Sequence, residues 1–200
     1  MEICVIGAGR IGLPISVSLA MKGYRVLVLE LDGGRCEEIN NSRAPFYEDG
    51  MDDALAEVVT SGLLTASQDS SKISDCNVII SAIGTEVSDD GTPDVSAIGS
   101  MVGMLSPHLN SGDLFLLKTT LPIGSTQEIG EKLSENSGLA LDEQLFVAFS
   151  PERIVEGRAP CWRRDLEPSA SFNFRFLESW RRNCCEPQIS LGIYTLKLPL

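Results

Sequence analysis

The 200 residues contain a single histidine, His108, which leaves little from which to build a metal site. The six cysteines are scattered, with no C-x-x-C pair, so neither a zinc centre nor a disulfide framework is indicated. Cys4 and Cys76 read as small apolar fillers near strands. His108 follows Pro107 near the end of an expected helix and reads as a surface or helix-end residue. Long apolar runs are also missing: the longest reach about ten residues, where a bilayer demands about 20. No basic segment precedes the apolar start Met-Glu-Ile-Cys-Val-Ile-Gly, which reads as a first strand and not as a signal peptide. The chain is therefore expected in the cytoplasm, with no membrane partner. Basic charge is scarce, with 16 Lys and Arg against 28 Asp and Glu for a net charge of -12. Phosphate neutralisation needs a basic face, so a general nucleic-acid binder is excluded.

What remains is an ordinary soluble composition, 43% hydrophobic and 22% charged. The charge is unevenly placed. Residues 1–158 carry 24 acidic against 10 basic side chains, whereas residues 159–200 carry 4 against 6. Both tryptophans, Trp162 and Trp180, and three cysteines, Cys161, Cys184 and Cys185, fall in that last segment. A break of this kind predicts a body of one origin, residues 1–158, and a tail of another.

Within the body, short apolar runs alternate with amphipathic stretches. Strands are expected at 2–6, 25–30, 77–83, 114–118 and 145–149, each a short β-branched or leucine run bounded by turn residues. Helices are expected at 11–22, 34–40, 51–61 and 124–137, and another reaches about Leu105 with Asp94 as its N-cap. This rhythm implies βαβ units and the α/β class: a Rossmann-like, doubly wound, mostly parallel sheet. In the tail the rhythm stops. Ser171–Phe176 and Ile189–Leu198 have strand character, separated by Arg-Arg-Asn-Cys-Cys and several prolines, and the tail is expected to be irregular.

Gly7-Ala8-Gly9-Arg10-Ile11-Gly12 is a G-x-G-x-x-G that ends a strand and opens a helix. Gly7 permits a tight turn, Gly9 keeps clear the space a pyrophosphate needs, and Gly12 lets the helix lie close to the sheet. The free N–H groups of the helix start then face an anion. Glu30 closes the second strand, eighteen residues after Gly12. A carboxylate there accepts hydrogen bonds from ribose hydroxyls and repels a 2′-phosphate, which favours NAD over NADP. Arg35 either contacts the adenosine half or balances Glu37 and Glu38 on an exposed helix face.

Further segments resemble the UDP-glucose/GDP-mannose dehydrogenases, the nucleotide-sugar 6-dehydrogenases. Val5–Pro14 resembles the family's first loop, and Glu30 with Arg35 its second-strand acid and following arginine. The segments 40–48, 82–86 (with Glu86 where the family has proline), 93–96 and 119–125 resemble later signatures in order. Ser150-Pro151-Glu152-Arg153 resembles the S-P-E-R of the branch that includes UDP-N-acetyl-D-mannosamine dehydrogenases. The resemblance implies two successive NAD-dependent oxidations at C6 of a UDP-sugar, alcohol to aldehyde to carboxylate, in polysaccharide precursor synthesis. It implies NAD contacts from Gly7, Gly9, Arg10, Ile11, Gly12, Glu30, Arg35, Thr85 and Thr120. Thr120 and Glu152 take catalytic roles beside the nicotinamide, and Arg153 and Ile154 meet the sugar nucleotide. No metal is implied.

The residues themselves agree in part. Thr120 ends one strand and Glu152 follows another, so both can lie at the carboxyl edge of the sheet. Bland alternatives stay open: Thr120 as a turn residue before Leu121-Pro122, Glu152 as a helix cap or a partner of Arg153 or Arg158, and Thr85 as a loop hydroxyl. The family's aldehyde step uses a cysteine in F-G-G-x-C, with a lysine, an asparagine and an aspartate beyond the NAD-binding half. No such segment is present, and none of Cys161, Cys184 and Cys185 has matching surroundings. The resemblance stops near Arg158. The chain is therefore expected to be truncated or frame-shifted there, to bind NAD without turning over a UDP-sugar, and to lack the central helix on which the family's homo-oligomer is built. A β-hydroxyacid dehydrogenase would share the glycine loop without predicting Ser150-Pro151-Glu152-Arg153. A non-catalytic NAD-binding module is the other alternative.

Overall fold

The computed structural model describes residues 2–84, 86–87, 93–94 and 96–150. The expected tail, 159–200, its two strand-like stretches, and Thr85, Glu152, Arg153 and Ile154 lie outside the described residues. Among these described residues six strands form one sheet: β1 (Glu2–Ile6), β2 (Arg25–Leu29), β3 (Leu64–Ser67), β4 (Val78–Ser81), β7 (Asp113–Leu117) and β8 (Leu145–Phe149). Their spatial order is β3-β2-β1-β4-β7-β8, and every pairing is parallel. A two-residue antiparallel ribbon, β5 (Glu86–Val87) with β6 (Pro93–Asp94), stands apart. Among the described residues there are five α-helices: α1 (Gly12–Met21), α2 (Gly33–Asn40), α3 (Met51–Thr60), α4 (Ser96–Leu105) and α5 (Ser125–Ser137).

Both faces of the sheet are covered, which explains why the strands read as unbroken apolar runs. Ile3 and Val5 of β1, Val26 and Val28 of β2, and Leu114 and Leu116 of β7 pack with α1, α2 and α3. The alternate residues, Cys4, Ile6, Leu29, Phe115 and Leu117, pack with α4 and α5 on the other side. Helix α1 is buried from Gly12 to Ala20, so it is apolar all round. Its two serines satisfy themselves within the helix: the Ser16 and Ser18 hydroxyls donate to the carbonyls of Gly12 and Pro14, each at 2.8 Å.

Two features differ from the expectations. β3 is an additional strand. It is four residues long with buried Leu64 and Ala66 alternating with exposed Thr65 and half-buried Ser67, too short a pattern to stand out. The Asn40 side chain completes its outer hydrogen bonding, accepting from Ala66 N–H at 2.9 Å and donating to the Ala66 carbonyl at 3.0 Å. Asp94, expected as an N-cap, lies instead in β6, paired opposite Glu86, and α4 begins two residues on at Ser96. His108 lies at a helix end as expected, closing a short 3-10 turn, Ser106–His108, directly after α4, with Nε2 3.5 Å from the Ser70 hydroxyl. Among the described residues Cys4, Cys36 and Cys76 are buried free thiols, and no group of His, Cys, Asp and Glu could hold a metal ion. No described helix is long and apolar enough to cross a membrane.

Asp113 opens β7 and is only 1% exposed. Its Oδ2 accepts from Asn110 N–H at 2.7 Å. Burial pushes its carboxyl up to about 6 from an ordinary 3.8, against the opposing pull of that hydrogen bond. The native state therefore holds the proton more tightly than the unfolded chain. The stability this provides is fully present below about pH 4 and is lost as pH rises through about 6. Asp113→Asn keeps the acceptor and removes the charge. It is expected to raise the unfolding free energy near pH 7 by about 1–3 kcal/mol and by almost nothing near pH 4. Urea unfolding at the two pH values measures this, and an equal change at both would contradict it.

Candidate active site: the cofactor cleft

The strands are in register such that their carboxyl ends form one row. Ile6 pairs with Leu29 and with Ser81, Ser81 with Leu117, and Leu117 with Phe149. The next residues, Gly7, Glu30, Ala82, Lys118 and Ser150, therefore rim a single edge. The strand order reverses between β1 and β4, and a crevice at such a point is where ligands bind an open α/β sheet.

The glycine loop leaves β1 at this reversal. Gly7 has φ +94°, a left-handed conformation that favours glycine. A Cβ on Gly12 would stand 1.8 Å from the Gly7 carbonyl oxygen and 3.3 Å from the Ala82 side chain. Gly12 is thus required for the loop to fold back on its own helix, with sheet contact secondary to the reason expected. A Cβ on Gly9 would meet nothing within 4 Å. The loop packing does not need glycine there; an open cradle does. Helix α1 begins without any side-chain cap. Among the described residues no acceptor meets the N–H groups of Arg10, Ile11 and Gly12, so the positive end of α1 faces that space.

Glu30 is tied into the same construction. Its Oε2 accepts from Ala8 N–H at 2.9 Å and its Oε1 from Asp32 N–H at 3.1 Å. The carboxylate is thereby held across the gap between the glycine loop and the end of β2. Each oxygen keeps lone-pair capacity for the hydroxyls of a ribose. Arg35 pairs with Glu30, Nη1 to Oε2 at 3.8 Å, and with Asp32, Nε to Oδ2 at 3.8 Å. Its expected alternative role, balancing Glu37 and Glu38, is replaced by these two pairs. Arg10 is exposed and lies over the Phe46 ring, 5.5 Å from its centre, which ties the glycine loop to the segment 40–48.

Thr120 is exposed two strands away, beyond β7. Its neighbour Thr119 is buried and donates its hydroxyl to the Ile83 carbonyl, binding the exits of β4 and β7 together. The structure thus gathers Gly7, Gly9, Arg10, Ile11, Gly12, Glu30 and Arg35 around the ends of β1 and β2, with Thr120 on the same edge. Sequence reasoning missed three contributors. Asp32 caps α2, accepting from Gly34 and Arg35 N–H at 2.8 and 3.3 Å; an aspartate before Gly-Gly at a helix start was its available signal. Gln68 donates to the Leu31 carbonyl at 2.7 Å, and Phe46 meets Arg10. Neither of these carries a local signal.

A parallel sheet in this order, a glycine loop at the reversal and an acid closing the second strand define a dinucleotide-binding Rossmann domain. The residues fit NAD: an anion cradle over Gly9 at a helix N-terminus, and a carboxylate placed for ribose hydroxyls. The chain belongs to the UDP-glucose/GDP-mannose dehydrogenase family, whose NAD binding domain matches residues 1–161. NAD is the cofactor of this domain. The chain is 30% identical over 163 residues to a UDP-glucose 6-dehydrogenase of Pseudomonas aeruginosa, covering 80% of this chain and 36% of that protein. It is 29% identical over 156 residues to a UDP-N-acetyl-D-mannosamine dehydrogenase of Methanococcus aeolicus, covering 78% and 35%. Among solved structures, a UDP-D-ManNAc dehydrogenase from Pyrococcus horikoshii superposes with a TM-score of 0.77 at 30% identity, covering 80% of this chain and 38% of that one. The chain thus spans little more than a third of the length of these relatives.

Proposed function

We propose that this chain is the cofactor-binding half of a nucleotide-sugar 6-dehydrogenase, whose whole reaction converts the C6 alcohol of a UDP-hexose or UDP-N-acetylhexosamine to the uronate. The observation that carries the reading is the glycine cradle with Glu30 held beside it by Ala8 N–H. Bound NAD supplies the hydride acceptor. The chain's own part is to hold it: the start of α1 takes the pyrophosphate charge, and Glu30 accepts from the ribose. Thr120, at the carboxyl edge beyond β7, is assigned to the nicotinamide side together with Glu152. A carboxylate in a partly dry crevice orients water or accepts a proton. Thr85 is assigned to the cofactor, and Arg153 and Ile154 to the sugar nucleotide. The cellular role that follows is the supply of uronic acid precursors for polysaccharides in the cytoplasm.

Holding the cofactor does not accelerate a reaction without groups that meet the transition state. The purified 200-residue chain is therefore expected to bind NAD and to produce no NADH with UDP-glucose or UDP-N-acetylmannosamine. Calorimetry reads the first property and absorbance the second. Robust NADH production would contradict the division between platform and chemistry, and failure to bind NAD would overturn the reading altogether.

A further inference from the structure

The Glu30 carboxylate alone does not account for the charge at the ribose corner. Two carboxylates and one guanidinium meet there. Arg35 stands 3.8 Å from Glu30 through Nη1 and 3.8 Å from Asp32 through Nε. The Glu30 side chain is 11% exposed, whereas Asp32 is 57% and Arg35 49% exposed. Asp32 is fixed where it is by accepting from Gly34 and Arg35 N–H. The backbone between the two acids is fixed as well, because Gln68 donates to the Leu31 carbonyl.

An arginine just beyond the second strand is the group that accommodates a 2′-phosphate in NADP-binding domains. Here it is engaged twice over. We infer that Asp32 is a second cofactor-selecting residue: it holds Arg35 away from a 2′-phosphate even when the Glu30 carboxylate is gone. This rests on the NAD-binding reading of the cleft. With both acids present the three groups sum to one negative charge, which a 2′-phosphate must approach. Removing the Glu30 charge leaves Arg35 and Asp32 as a neutral pair. Removing both charges leaves Arg35 as an uncompensated cation at the ribose corner.

The consequence is non-additivity. Asp32→Asn retains an oxygen for the helix cap, so α2 keeps its start. Glu30→Gln or Asp32→Asn alone is expected to tighten NADP binding by about fivefold or less, because Arg35 stays paired with the remaining acid. The double variant is expected to gain about a hundredfold, more than the product of the two single gains. The gain should shrink with added salt. Titration of NAD and NADP into the full chain and the three variants, with circular dichroism and melting curves to establish folding, measures this. Asp32→Ser, which also retains a cap, gives an independent second substitution. NAD binding by the parent chain together with a double variant no better than the product of the singles would overturn the role of Asp32 and leave the NAD reading standing. Absence of NAD binding by the parent chain would overturn both.

Discussion

Gly12→Ala is expected to destroy the cofactor cleft and to destabilise the whole domain. The added Cβ would lie 1.8 Å from the carbonyl oxygen of Gly7. That oxygen belongs to backbone, and Gly7 is itself held by its N–H to the Leu29 carbonyl at 2.9 Å and by a left-handed φ. No flexible side chain can yield. Either the loop unwinds from the end of β1 or α1 moves off the sheet, and α1 is buried along nearly its full length. Overpacking usually costs about 1–3 kcal/mol, and a backbone clash of this depth places the cost at about 3 kcal/mol or more. Against the margin of about 5–15 kcal/mol for a domain, that is a large loss. Urea unfolding and NAD titration should both register it. A variant as stable as the parent would show that the loop does not close on its helix as described.

Gly9→Val is expected to do the opposite: to leave stability in place and abolish cofactor binding. Nothing lies within 4 Å of the position a Cβ would take, and Gly9 has no positive φ to strain. A melting temperature close to that of the parent follows. The same side chain fills the cradle before the N–H groups at the start of α1, where the pyrophosphate is to lie. Affinity for NAD should fall by at least about a hundredfold, equivalent to about 2.7 kcal/mol. Taken together, the two substitutions separate a glycine needed by the fold from one needed by the ligand. If Gly9→Val binds NAD as the parent does, the cradle is not where the cofactor sits.

Much of this was legible in the sequence because the signals are local. Buried parallel strands need apolar residues on both faces, so RVLVL, VIIS and LFLL announce themselves as runs. A glycine loop between strand and helix, followed by an acid at the end of the next strand, is a short-range pattern as well. The Asp32 cap apart, the contacts that escaped are made by residues distant in sequence. Asn40 completes β3 across 26 residues, and Gln68 braces Leu31 across 37. Neither the amide nor its neighbours mark it for that task. β3 itself depends on its partner β2 and on Asn40 more than on its own composition, since Leu-Thr-Ala-Ser has little strand preference. Arg35 illustrates a third case. Helical spacing makes Glu38 an equally good partner, and only the three-dimensional return of the chain toward Glu30 decides the pairing.

The central claim is that NAD lies over Gly9 at the start of α1 with its ribose on Glu30. The backbone amide signals of the 200-residue chain, followed by nuclear magnetic resonance as NAD is added, test it most directly. The account predicts the largest shifts at Gly9, Arg10, Ile11 and Gly12, with smaller ones at Ala8, Asp32 and Arg35. The opposite edge of the sheet, around Asn110 and Asp113, should remain unchanged. Shifts centred on that opposite edge, or none at the glycine loop at saturating NAD, would contradict it.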